Sequence, residues 1–230
     1  MKRTITNYLF ALLPVCLFSS VGNAQTKSQS KQAINFSALQ NKIQAWVDSG
    51  YYNGASIIIK KNNKVVYKNY FGNYKPETVA FIASAGKWLA AATIAAVVDE
   101  GKLNWNDKVK KYLPEFTDAK GEATLAQLLS HTAGYPDYQP KGEPIDIYQT
   151  LKESVAHIVN LPADTLPGTK FKYGGLAMQV AGRMAEIATG KDLETLFQQK
   201  IATPLFMSST HFTPVDSTGG HAPMLGGGAR

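Results

Sequence analysis

The chain has 230 residues, of which 44% are hydrophobic and 18% are charged. This composition supplies enough apolar side chains for a buried core and excludes an intrinsically disordered protein. The formal net charge is +7, but the lysines are scattered along the sequence, so we expect a solvated surface and no binding to nucleic acid.

The first 24 residues have the pattern of a secretory signal peptide. Lys2 and Arg3 supply the positive start, residues 8–21 are mostly apolar, and Gly22-Asn23-Ala24 supplies the small residues of a cleavage site. The apolar segment is too short for a comfortable membrane span. The sequence therefore predicts export to the periplasm or the medium, with a mature domain over residues 25–230 and no stable membrane span.

Cysteine and histidine usage excludes several kinds of site. Cys16 is the only cysteine, and it lies within the signal segment, so the mature chain would have none. That excludes a disulfide framework, a thiol nucleophile and a thiolate metal site. His157, His211 and His221 have no acidic or histidine partner at metal-ligand spacing, so we expect no metal and no other cofactor.

The front of the mature chain predicts a helix followed by a β-hairpin. Apolar residues recur at helical spacing between Ser37, the expected N-terminal cap, and Asp48. Two segments rich in Ile, Val and Tyr follow, and Asn62-Asn63 between them suits the positive φ angles of a tight turn. Two strands do not form an independently stable sheet. Either a helical body covers the hairpin or further strands are missing.

A long apolar helix comes next, and the main candidate site lies at its beginning. The run from Trp88 to Val98 is apolar nearly all round, which is typical of a buried helix. Ser84 and Lys87 lie just before this run and form the pattern S-x-x-K at the start of the helix. Residues three apart share one helix face, so the hydroxyl and the amine can point into the same space. Unpaired backbone N–H groups at this helix end could stabilise an oxyanion.

A serine hydroxyl becomes a good nucleophile only when another group takes its proton. Lys87 can take it only while its amine is neutral. Burial and the positive helix end would favour that form, and the expected neighbours are Phe81, Ile82, Trp88 and Leu89. The tetrapeptide alone is weak evidence, because Ser28 to Lys31 has the same pattern in a polar segment with no helix behind it.

The rest of the chain predicts mostly helices joined by loops. Helices are expected before Pro114, at residues 125–130 behind the cap Thr124, at 145–160, at 175–189 and after the cap Asp192. His131 lies in the turn after the second of these helices, and we interpret it as structural. The tail from Thr213 is rich in Gly, Pro and Ser.

Three landmarks then stand in a fixed order: Ser84 to Lys87, Leu128 to Tyr135, and Pro167 to Tyr173. With them the chain resembles the serine β-lactamase-like hydrolases, in the branch of class C β-lactamases, D-Ala-D-Ala carboxypeptidases and related esterases. The resemblance runs from about Ile34 to the end of the chain. It implies an α/β fold of the α+β type, in which an antiparallel sheet is flanked by helices and joined by an all-helical subdomain, with the active site between them.

The resemblance also implies roles for three residues. Ser84 would be the acylated nucleophile and Lys87 its proton partner, while the phenol of Tyr173 would pass protons to the leaving group. The implied function is an exported serine hydrolase that works through an acyl-enzyme without a cofactor. Its substrate would be a β-lactam, a D-amino-acid peptide of the cell wall or a small ester.

Two features depart from the family pattern. The family's Y-x-N motif here ends in Gly175, which has no side-chain amide to orient Lys87 or to hold a substrate amide, and this leaves an ester substrate open. The family's third motif, a Lys/His-x-Gly strand, has no match before Arg230. We therefore expect a sequence that is incomplete at its C-terminus. The alternative function is a catalytically inactive remnant or a cell-envelope binding module of the same fold.

Overall fold

The computed structural model describes residues 34–80, 82–136 and 150–212. The predicted signal peptide, Phe81 and the tail from residue 213 lie outside the described residues. The chain divides after Pro76 into two compact units. Among the described residues, no helix is both long enough and apolar enough to cross a membrane.

The first unit contains the predicted helix and hairpin. Helix α1 spans Ser37–Asp48, and the antiparallel strands β1 and β2 span Gly54–Lys61 and Lys64–Gly72. Asn62 and Asn63 connect the strands with φ angles of 49° and 60°, which confirms the predicted turn.

The predicted cap of α1 is wrong. Ser37 is the first helical residue, and Phe36, which precedes the helix, makes no side-chain capping bond. Instead, the Ser37 backbone N–H donates to Asn35 Oδ1 at 2.9 Å. A side chain outside the helix therefore satisfies this donor.

The first regular structure of the second unit is the turn and helix that carry Ser84 and Lys87. Ser84–Gly86 forms a single 3₁₀ turn that leads directly into α2, Lys87–Asp99. Most of α2 is buried or half-buried, and its buried residues are Leu89, Ala90, Thr93, Ile94 and Val97. Trp88 is an exception, because 65% of its surface is exposed. The prediction of a core helix is thus confirmed for α2, with Trp88 as the exception among the apolar residues of its first turn.

The described part of the second unit continues with helices and loops. The helices are α3 Val109–Tyr112, α4 Leu125–Leu129, α5 Leu151–Ile158, α6 Leu176–Thr189 and α7 Leu193–Phe197, with a 3₁₀ turn at Ala119–Glu122 and a π-helical turn at Gln198–Ala202.

The predicted boundaries of these helices follow their capping residues. Thr124 and Gln127 form a capping box, Asp192 accepts from the Thr195 N–H, and Gly190 ends α6 in the left-handed conformation. The helix expected at 145–160 begins only at Leu151, because Thr150 is an extended cap. Its predicted first residues, 145–149, lie outside the described residues.

Helix α6 is the centre of the second unit's core. Buried residues of α2, α3, α4, α5 and α7 form one cluster with it. Small residues on α6 let its neighbours approach closely: a Cβ added at Gly182 would lie 2.9 Å from Leu151 Cδ1. Helix α2 joins the same cluster through Ile94 and Val97, and this anchors the helix whose beginning presents Ser84.

Candidate active site

Ser84 and Lys87 meet at the beginning of α2, as their spacing predicted. The 3₁₀ turn passes into the helix without a break, so both side chains lie on one side of it. Lys87 Nζ donates a hydrogen bond of 2.8 Å to Ser84 Oγ. Ser84 is exposed and Lys87 is half-buried. The hydroxyl is therefore accessible to a substrate while it contacts the amine.

Tyr173 joins this pair from a distant part of the sequence. Its ring centroid lies 5.1 Å from Lys87 Nζ, and its phenol hydrogen-bonds to the side chains of Ser84 and Lys87. The hydrogen bond from Ser84 lowers the pKa of Tyr173 below the usual value for a phenol, and the hydrogen bond and charge of Lys87 act in the same direction against desolvation. The structure thus brings the three predicted site residues together.

The expected apolar enclosure of Lys87 is wrong in two of its members. Ile82 and Trp88 expose 38% and 65% of their surface, so neither encloses the amine as a core side chain would. Leu89 is buried, but it belongs to a cluster with Phe197 and Phe212. Tyr173 supplies the aromatic contact of Lys87 in their place.

His131, interpreted from the sequence as structural, is a neighbour of the site. Its ring centroid lies 4.7 Å from that of Tyr173 and 6.0 Å from that of Phe171. Burial lowers the pKa of His131, and the charge of Lys87 lowers it further. The sequence places His131 in a turn, two residues before Ala133. That position does not indicate which aromatic side chain the imidazole contacts.

Three backbone hydrogen bonds position the segment that leads to Tyr173. The N–H groups of Asp164, Gly168 and Lys172 donate to the carbonyls of Gly134, Thr132 and His131, at 2.9, 2.7 and 2.8 Å. These bonds hold the loop before Tyr173 against the turn after α4. The second and third sequence landmarks are therefore paired in space.

The backbone before Ser84 is strained. Ala83 has φ 44° and ψ −127°, a conformation that residues with a Cβ rarely adopt and that costs on the order of 1–3 kcal/mol. Strain of this kind concentrates at active sites. It turns the chain sharply into the 3₁₀ turn that carries Ser84.

The N–H of Ser84 is the donor expected to help bind an oxyanion, and the three N–H groups that follow it are already engaged. The Ala85 and Gly86 N–H groups donate to the carbonyls of Ile82 and Ala83 at 2.9 and 2.8 Å. The Lys87 N–H donates to the Ser84 carbonyl. None of these three donors is available to an oxyanion in this conformation.

Gly175, where the resemblance leads one to expect an asparagine, is the N-terminal cap of α6. It is buried, and its carbonyl accepts from the Gln179 N–H at 3.2 Å. It contributes backbone alone to the space beside Tyr173. Among the described residues, no group of three or more His, Asp or Glu side chains could hold a metal ion.

A model of the family described as Beta-lactamase matches residues 39–222. The chain belongs to this family. Its fold is the predicted α/β fold of the β-lactamase and transpeptidase type, and the resemblance drawn from the three landmarks is confirmed.

Individual relatives agree with the family assignment. The D-alanyl-D-alanine-carboxypeptidase/endopeptidase AmpH of Escherichia coli (strain K12) is 26% identical, and the match covers 93% of this chain and 58% of AmpH. A crystal structure named "putative beta-lactamase" from Bacteroides dorei DSM 17855 is 51% identical with a TM-score of 0.79, over 85% of this chain and 59% of that one.

A third relative has a name that describes a different activity. EstCE1, named a hydrolase with promiscuous acyltransferase activity, is 26% identical with a TM-score of 0.68, over 79% of this chain and 54% of EstCE1. The chain thus spans little more than half the length of each of these three relatives.

Proposed function

We propose that this β-lactamase-family chain belongs to an exported serine hydrolase that acts through an acyl-enzyme. The observation that carries the proposal is the contact of Ser84 Oγ with Lys87 Nζ at 2.8 Å, beside the phenol of Tyr173. Hydroxyl, amine and phenol are the groups that an activated serine needs. The predicted signal segment supports a periplasmic or secreted location.

The hydrogen-bond directions suggest how the proton moves. Lys87 donates to Ser84 Oγ, which leaves the serine O–H free to donate to the phenol oxygen of Tyr173. A phenol with a lowered pKa is a phenolate more of the time, and Lys87 stabilises that charge. Tyr173 therefore accepts the serine proton as Ser84 attacks a carbonyl, and then gives it to the leaving group. Water releases the acyl group in the second half of the reaction.

The substrate class follows from the relatives and from Gly175. AmpH is named a carboxypeptidase and endopeptidase, and EstCE1 a hydrolase with acyltransferase activity. We propose a small carbonyl substrate: a β-lactam, a D-amino-acid peptide or an ester. Gly175 has no side-chain amide that could hydrogen-bond to an amide of the substrate. An ester does not require that hydrogen bond, so an ester suits this site best.

Covalent labelling tests the proposal. The chain is incubated with a fluorescent penicillin and, separately, with a fluorophosphonate, beside the Ser84→Ala variant. We expect labelling of the parent chain and at least a hundredfold weaker labelling of the variant. Equal labelling of both would contradict Ser84 as nucleophile. Turnover of a p-nitrophenyl ester but not of a chromogenic lactam would identify an esterase.

A second candidate is a binding module that keeps the cleft without turnover. It is favoured by the small number of oxyanion donors at this helix end: the N–H groups of Ala85, Gly86 and Lys87 are engaged, so the expected donor, the N–H of Ser84, has no help from them. Labelling that requires Ser84, with no turnover of an ester, a β-lactam or a D-amino-acid peptide, would select this candidate.

A further inference from the structure

The ring of His131 contacts two aromatic side chains of the loop before α6. Its centroid is 6.0 Å from that of Phe171, in an edge-on arrangement, and 4.7 Å from that of Tyr173, at an interplanar angle of 50°. Aromatic pairs at such distances attract each other. The Tyr173 ring thus contacts the imidazole of His131 as well as the amine of Lys87.

The backbone conformation at His131 fixes the position of this imidazole. His131 has φ 57°, a left-handed conformation that His adopts more often than most residues with a Cβ. Its carbonyl accepts from the Lys172 N–H at 2.8 Å, one residue before Tyr173. The turn and the tyrosine segment are therefore joined by backbone and by side chain at the same point.

The surroundings of His131 favour a neutral imidazole, because burial and the charge of Lys87 both lower its pKa. Nδ1 is buried and has no hydrogen-bond partner among the described residues, so no hydrogen bond at this nitrogen orients the ring. The charged and titratable groups nearby are Lys87, the phenol of Tyr173, and Lys172, which pairs with Asp164 at 2.9 Å. Lys87 makes a second positive charge at His131 unfavourable.

We propose that His131 is a positioning residue, whose neutral ring packs against Tyr173 and holds the phenol at Ser84 and Lys87. The proposal deepens the proposed function, because it concerns the same site. Half of the Tyr173 surface is exposed, so without this packing the phenol can turn towards water and leave its two partners. His131 itself touches no reacting atom.

Two variants separate the effect of the His131 ring from the effect of the backbone conformation at this position. His131→Asn removes the ring but keeps a residue that tolerates the left-handed conformation, and His131→Phe keeps a flat ring without nitrogen. The phenolate of Tyr173 is titrated by absorbance near 295 nm in each background, as the difference from the same chain with Tyr173→Phe. The rate of fluorophosphonate labelling is measured in parallel.

We expect the pKa of Tyr173 to rise towards its ordinary value in His131→Asn and to stay near that of the parent chain in His131→Phe. Labelling should slow at least tenfold in the first variant and recover most of that rate in the second. An unchanged Tyr173 titration in a folded His131→Asn chain would overturn the proposal, and so would equal titration shifts in both variants.

A reciprocal measurement does not depend on either variant folding. In Tyr173→Leu, the His131 ring loses its covering phenol, and its pKa, followed by NMR, should rise towards the ordinary histidine value. No change would overturn the packing role. If the titrations respond as expected but the parent chain never labels, the proposed function fails while the positioning role stands.

Discussion

The amine of Lys87 lies over the ring of Tyr173, 5.1 Å from its centroid, and at the same time donates to the hydroxyl of Ser84. One cation therefore touches both partners of the proposed proton transfer. A positive charge in this position favours a negative oxygen on either of them. The arrangement stabilises whichever oxygen has just lost its proton.

Loss of the Tyr173 hydroxyl should slow acylation of Ser84. Tyr173→Phe keeps the ring beneath Lys87 but removes the proton acceptor, and general acid–base groups contribute about 10² to 10⁴ in rate. We expect a fall of about that size in the rate of fluorophosphonate labelling. Tyr52→Phe is the matched control, because Tyr52 is 48% exposed and Tyr173 is 52% exposed. Equal rates for parent chain and Tyr173→Phe would remove the phenol from the mechanism.

The sequence predicts best what local chemistry determines. The Asn62-Asn63 turn, the capping box of Thr124 and the cap Asp192 each depend on residues within a few positions, and all three are present. The contact of Ser84 with Lys87 is local as well, since both residues lie in one turn of chain. Here the residue pattern alone constrains the geometry.

The remaining features of the site depend on contacts between distant segments. The contact of His131 with Tyr173 exists because the turn after α4 binds the loop before α6 through its backbone. No side-chain pattern along the chain encodes that pairing. The exposure of Trp88 is likewise a property of its surroundings, because an apolar run does not reveal which of its faces the core covers. The family resemblance supplied Tyr173 where the pattern alone did not.

Gly134 should be intolerant of a side chain. It has φ +76°, and a Cβ there would lie 2.1 Å from the Thr165 carbonyl oxygen. The left-handed conformation costs about 1–2 kcal/mol for a residue with a Cβ, and overpacking adds about 1–3 kcal/mol. We expect Gly134→Ala to lower the free energy of unfolding by about 2–5 kcal/mol, measured by denaturant titration.

Gly101→Ala is the control for the backbone part of this effect. Gly101 has φ +71° and nothing within 4 Å of an added Cβ, so only the conformational cost of about 1–2 kcal/mol applies. If the two variants lose equal stability, the close approach of Thr165 contributes nothing. Since Gly134 also accepts the Asp164 N–H, Gly134→Ala should slow Ser84 labelling too, while Gly101→Ala should leave it unchanged.

Lys120 is a buried cation that supports the loop leading to Tyr173. Its side chain is fully buried, pairs with Asp118 and donates to the Leu161 carbonyl. Its own carbonyl accepts from the Tyr135 hydroxyl at 3.3 Å, and burial raises the pKa of that phenol. Lys120 therefore ties the 3₁₀ turn at Ala119–Glu122 to two other segments.

Lys120→Met should lower the free energy of unfolding by about 1–3 kcal/mol, because it leaves the Leu161 carbonyl without this donor. Lys110→Met is the exposed counterpart: Lys110 pairs with Glu122, but half of its side chain is in solvent, and an exposed pair of this kind contributes little to stability. Thermal and denaturant unfolding of both variants measure the difference. Equal losses would show that the buried lysine is no more important than a surface one.

Asp107 should make stability depend on pH at the acid end. Burial raises the pKa of its carboxyl, but hydrogen bonds from Lys111, Tyr112 and the Asn104 N–H outweigh burial and hold that pKa below the ordinary 3.8. The bonds are 2.6, 2.8 and 2.9 Å long. A carboxyl with a lowered folded pKa stabilises the protein fully above the unfolded pKa. That contribution is lost as the pH falls through the folded pKa.

Replacing Asp107 with alanine should therefore cost about 1.5–3 kcal/mol near neutral pH, the range for hydrogen bonds to a charged group. The difference from the parent chain should shrink once the pH falls below about 3.8, because the unfolded parent then takes up a proton at Asp107 while the folded parent, whose pKa is lower, still resists it. Asp107→Asn keeps one acceptor oxygen but cannot titrate, so its difference from Asp107→Ala should be constant across the same range. Urea unfolding of the three chains from pH 7 down to pH 2 measures both differences. A parent-to-alanine difference that stays constant to pH 2 would show that the charge of Asp107 does not stabilise the loop before α3.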